Sequence, residues 1–103
     1  MTRNEKIAEV MGWSYYKKDN IFFQGDHWLH SNSWEFCKLL QARMQQDGWI
    51  ICMQAMTVGK ETLITYFADR SEPKHLHHIV NADTEPAALF ELFCKVNGIT
   101  DKA

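Results

Sequence analysis

The sequence predicts an α+β domain: a three-layer helix–sheet–helix sandwich around a mostly antiparallel sheet of four or five strands. Three observations carry that expectation. Three amphipathic segments each end in a glycine followed by a large apolar residue. A hairpin pattern around Gly59-Lys60 is apolar on both of its faces. The 103 residues suffice for one hydrophobic core and not for two, so residues 1–103 are read as a single domain.

The first helix is predicted over Arg3 to Met11. Thr2 and Glu5 have the spacing of a capping box, and Ile7, Val10 and Met11 form its apolar stripe. Gly12 then takes the left-handed position and Trp13 follows as its hydrophobic partner. Trp13 to Tyr16 and Ile21 to Phe23 read as a hairpin across Lys17–Asn20, with Gln24-Gly25-Asp26 as a loop that leads to Trp28.

The second helix runs from Ser33 or Trp34 to Asp47, capped by Asn32 or Ser33 and closed by Gly48 and Trp49. Its stripe is Phe36, Leu39, Leu40 and Met44. Strands follow over Trp49 to Val58 and Glu61 to Ala68. A two-residue type II′ turn at Gly59-Lys60 pairs Val58 with Glu61, Met56 with Leu63, Gln54 with Thr65 and Cys52 with Phe67. Apolar residues on both faces predict cover on both sides, by helices or by a partner chain. A further strand is expected over His75 to Asn81. The last helix, Glu85 to Asn97, has Thr84 as its cap and Pro86 in its first turn, and it closes at Gly98 and Ile99.

The order Ile7-Ala8-Glu9-Val10-Met11-Gly12-Trp13, a variable loop, a serine-rich entry to Trp34-Glu35 and a helix resembles the phage ABA sandwich domain family. So does Ala82 to Ala88 at the last strand-to-helix junction. The stretch from Ile21 to His30 departs from the family by its extra aromatics. The resemblance implies a helix–sheet–helix sandwich of phage or prophage origin. It supplies no catalytic or ligand residues to carry over.

Net charge −2 with alternating signs gives no electrostatic footprint for nucleic acid. No apolar run approaches a membrane span, and the residues after Met1 are polar or charged and not a signal core, which predicts a cytoplasmic protein. Cys37, Cys52 and Cys94 are odd in number and sit in apolar stretches, which predicts buried, unreactive thiols. His75, His77 and His78 with His27 and His30 could supply four metal ligands, but their spacing matches no zinc motif. Exposed strand and loop positions are the plainer reading, so no metal and no cofactor is expected.

The unusual feature is the aromatic load from Trp13 to Trp34. Trp13 and Trp34 are the members best suited to the core. Strand alternation turns Trp13 and Tyr15 inward and Tyr16 outward, and Trp28 falls on a loop. Tyr16 and Trp28 are therefore the candidate partner-binding residues, ahead of Tyr15 and Phe23. The function this predicts is that of a phage or prophage accessory protein without catalysis. It would bind a host protein or a copy of itself, in roles such as modulation of host defence or regulation. The alternative is a protein that binds or sequesters a small ligand or nucleotide within an aromatic pocket.

Overall fold

The computed structural model describes residues 2–31 and 33–99. Helix α1 spans Arg3–Met11, α2 Trp34–Gln46 and α3 Glu85–Val96. Each begins with a hydroxyl cap. The Thr2 side chain accepts from the Glu5 N–H while Glu5 returns a bond to the Thr2 N–H. Ser33 accepts from Phe36 N–H, and Thr84 from Ala87 N–H. The alternative cap Asn32 lies outside the described residues.

Each helix also ends in one motif. The N–H of Trp13 bonds back to Ala8 O, that of Trp49 to Met44 O and that of Ile99 to Cys94 O, at 2.9, 3.0 and 2.8 Å. The preceding glycine is left-handed in each case. The residue after it is buried: Trp13, Trp49 and Ile99 all belong to the core. The motif thus satisfies orphan carbonyls and inserts a large apolar side chain at the same time.

Among the described residues, six strands form two separate antiparallel sheets. In the first, β1 (Ser14–Tyr16), β2 (Ile21–Gln24) and β3 (His27–His30) lie in the order β1-β2-β3. In the second, β4 (Ile50–Val58), β5 (Glu61–Arg70) and β6 (Leu76–Ala82) lie in the order β4-β5-β6. The β4–β5 register is the predicted one, from Val58 opposite Glu61 to Cys52 opposite Phe67. Gly59 has φ 64° and Lys60 has no positive φ, as a type II′ turn requires.

The predicted layering is not formed. In place of one sheet of four or five strands with helices on both faces, there are two three-stranded sheets, each with one face on the helices and one face open. Two facts explain the difference. Trp28, read as a loop residue, belongs to strand β3 at residues 27–30, because Gly25-Asp26 is a tight turn that returns the chain into pairing with β2. The first three strands therefore pair only with one another. Helix α2 then carries the chain away before β4 begins, and the helices have to cover one face of each sheet.

The packing shows how. Phe22 of β2 stacks on Phe36 of α2 with ring centroids 4.8 Å apart, and Trp13 lies against both rings. Phe36 in turn meets Phe90 of α3. On the second sheet, Ile64, Tyr66 and Ala68 of β5 and Val80 of β6 point to the helices and are buried. The Tyr66 hydroxyl donates to Glu85 Oε1 at the start of α3, at 2.9 Å. Trp13, Phe22, Phe36, Ile64, Tyr66, Ala68 and Val80 belong to one buried cluster with Ile7 of α1 and Leu89, Leu92 and Phe93 of α3, and Phe90 packs against it. Among the described residues, no helix is long and apolar enough to cross a membrane.

Two measurements follow from this packing. Phe36→Ala removes the ring that joins the first sheet to the helices and should cost about 3–5 kcal/mol. Gly12→Ala meets no atom within 4 Å, so only backbone strain at φ 72° opposes it, and it should cost about 1 kcal/mol. Urea unfolding of the two variants should rank them in that order. The second measurement concerns His78, which lies 5.4 Å from the Trp49 ring. Burial holds its pKa below the ordinary histidine value, with Lys95 and His77 adding repulsion. The unfolded chain therefore takes up this proton first as pH falls, and stability is lost on acidification through the ordinary histidine range. The urea midpoint should fall between pH ~7.5 and ~5, and it should fall less steeply in His78→Gln.

Candidate partner-binding faces

Alternation along three short strands sorts the aromatic segment into two sets. Tyr15, Phe22 and Leu29 lie opposite one another on the helix side. Phe22 and Leu29 are fully buried and Tyr15 is half-buried. The Tyr15 hydroxyl donates to Asn20 Oδ1, and Asn4 of α1 donates to the same oxygen. The β1–β2 loop is thereby tied to the first helix.

The open side of this sheet carries two rows: Ser14, Phe23 and Trp28, then Tyr16, Ile21 and His30. Tyr16 is 49 % exposed, Phe23 38 % and Trp28 54 %. The two predicted residues therefore share a face. They lie on opposite edge strands, one row apart, with backbones separated by about 12 Å. Trp28 does not lie on a loop, as the sequence suggested; it is a strand residue held outward by the pleat, with the His30 ring edge-on at 5.1 Å. On the opposite side of β3, His27 bonds Glu35 in the first turn of α2. Trp34, read as a core residue, is 51 % exposed, with the Lys38 ammonium 5.4 Å from its ring.

The second sheet has an open face that was expected to be covered. Ile50, Met56 and Val58 of β4, Leu63 of β5 and Ile79 of β6 are all exposed on it. Cys52 and the half-buried Phe67 lie among them. Two pairs of its polar members bond each other: Thr65 bonds Asn81 at 2.6 Å, and Asp69 bonds His77. The signal for this face was present in the two-sided apolar pattern of the hairpin. That pattern does not say which side the helices take.

The histidines do not converge. His27 and His30 sit on opposite sides of β3, and His77 and His78 on opposite sides of β6, in the other sheet. Among the described residues, no group of three or more His, Cys, Asp or Glu side chains is placed to hold a metal ion. The thiols differ from one another. Cys37 is fully buried, its Sγ donates to Pro86 O at 3.2 Å, and burial pushes its pKa up to about 12. Cys94 is buried too, whereas Cys52 is exposed, against expectation, because it lies on the open face of β4.

Between β6 and α3 runs an open groove of about 1010 Å³. Three of its charged side chains are already engaged: Arg3 pairs with Glu91 at 2.7 Å, and Lys95 donates to Ile79 O at 3.0 Å. No aromatic side chain lines it, so it is not the aromatic ligand pocket considered above.

In the folded protein, iodoacetamide should alkylate Cys52 rapidly near pH ~8, and Cys37 and Cys94 only on unfolding. Peptide mass mapping after timed quenching checks this; fast labelling of Cys37 would contradict the packing of α2 against α3. Comparison with protein-family models, with curated proteins and with solved structures returns no match for this chain.

Proposed function

We propose that this protein acts without catalysis, by binding another protein through the open aromatic face of its first sheet. The observation that carries the reading is that Tyr16, Phe23 and Trp28 project from one side of one sheet and are all exposed. Sheet residues are held by the ladder, so these rings are presented at little entropic cost, which is what interface anchors need. Their surroundings favour a protein over a nucleic acid. The adjoining loop carries Lys17 and Lys18 but also Asp19, the next turn carries Asp26, and the whole chain is net −2. A phosphate backbone would require a basic track beside the rings.

A phage or prophage source, a host protein as the partner and action in the host cytoplasm belong to the same proposal. They rest on the string Ala8 to Trp13 and the junction Ala82 to Ala88. The sandwich that this resemblance implied is not the layering of the fold.

The test pairs stability with binding. Tyr16→Ala and Trp28→Ala should each unfold within about 0.5 kcal/mol of the parent, the usual range for surface substitutions. Each should weaken capture of a partner from host lysate, by about thirtyfold if the residue is a central anchor. Variants that remain folded and capture the same partner undiminished would place the binding surface elsewhere.

A further inference from the structure

The two edges of the second sheet are treated differently. On β6 the odd-numbered residues direct their backbone groups away from β5, and the Ile79 carbonyl among them accepts from Lys95 of α3. A helix lysine thus occupies that edge, which also carries His77 and Asn81. Among the described residues, no such bond reaches the β4 edge. Ile50–Val58 is nine residues of IICMQAMTV, with no charge, no proline and no glycine. Natural edge strands are short, charged, bulged or covered, because an unprotected one pairs with other chains. An edge that carries none of these devices is either a hazard or an interface.

Its sequence distinguishes the two, because β4 is complementary to itself. The two-residue turn makes Val58 and Glu61 a hydrogen-bonded pair, so the even-numbered residues of β4 bond to β5. Ile51, Met53, Ala55 and Thr57 then turn N–H and C=O outward. Let a second β4 run antiparallel about a two-fold axis at Gln54. Met53 meets Ala55 and Ile51 meets Thr57, each pair exchanging two backbone hydrogen bonds. On the other face Cys52 meets Met56 and Ile50 meets Val58. On the axis Gln54 meets its own copy, and a carboxamide can both donate to and accept from its like.

Three further features favour a second copy over another occupant. Large side chains meet small ones on the helix side, Met53 against Ala55 and Ile51 against Thr57. Met53 is 46 % exposed and Ala55 and Thr57 are exposed, so the helices leave the far half of β4 bare on that side. In this register the bare half lies beside the partner's Ile51, where its helix layer is present. The ends also match in sign: the register carries the turn with Lys60 of one copy to Gly48 and Asp47 of the other, a carboxylate that its own Arg43 also engages, and does so twice by symmetry. We propose that two copies of this chain associate by antiparallel pairing of β4 with β4 about Gln54, joining their second sheets into one continuous six-stranded sheet. This surface shares no residue with the aromatic face of the first sheet.

Sedimentation velocity between about 1 and 200 µM, the range of modest interfaces, should show reversible dimerisation. Ala55→Lys puts a charge on the exposed strand without touching the core, and it should raise the dissociation constant about tenfold or more. The register has its own readout. Residues opposite each other at a non-hydrogen-bonded position have Cα atoms about 4.5 Å apart, within disulfide range. The double variant Cys52→Ser, Gln54→Cys should therefore form a covalent dimer with oxidised glutathione, while the parent and Cys52→Ser alone should not. If Ala55→Lys fails to fold, by far-ultraviolet circular dichroism, the disulfide decides alone. A parent that stays monomeric throughout overturns the proposal. So does a dimer indifferent to Ala55→Lys or without the residue-54 disulfide, as when the open sheet faces pack on each other.

Discussion

The helical layer has to serve two sheets at once. Phe36 shows this most directly, since its ring stacks on Phe22 of the first sheet and also meets Phe90 of the helix that covers the second. Three helices of nine, thirteen and twelve residues have too little apolar surface to wrap both sides of either sheet. One face of each sheet is buried, and the other is left to solvent. The aromatic face and the open apolar face both follow from that shortage.

A sheet as small as the first could not persist alone. Its strands are three or four residues long, and a short isolated meander is marginal in water. Its order comes from three attachments. The Trp13 ring lies against Phe22 and Phe36. The Asn20 side chain binds Tyr15 and, through Asn4, α1. The His27–Glu35 pair joins β3 to the start of α2. Each holds the inner side of the sheet and so fixes which rings project from the outer side. The candidate binding residues are thus positioned by contacts they do not themselves make.

The second sheet has the opposite character. Its strands are long, its register is locked by a two-residue turn, and its inner face is held by β5 and β6. Burial declines from β5, with Ile64, Tyr66 and Ala68 in the core, to β4, where only Ile51 is even half-buried. An edge strand that contributes so little to the core of its own chain, yet carries no charge, is under a different constraint from solubility alone. Tying Ile79 O to Lys95 at the opposite edge leaves β4 as the open one.

What could be read from the sequence was what local chemistry determines. Caps at Thr2, Ser33 and Thr84, closures at Gly12, Gly48 and Gly98, and the β4–β5 register all depend on residues a few positions apart. The bonds they make satisfy backbone groups whatever the rest of the chain does. The outward position of Tyr16 followed from the same kind of argument, strand alternation counted from Trp13. The layering was a tertiary decision. An apolar pattern states that a face can be buried and is silent on which element does it. With helical surface in short supply, packing covered Ile64 and Tyr66 and left Leu63, Met56 and Cys52 bare. Packing also left Trp34 in solvent, and pairing with β2 placed Trp28 in a strand and not on a loop. The gain for the second sheet was a set of contacts between distant segments, such as Tyr66 with Glu85 of α3, which no short window of sequence records.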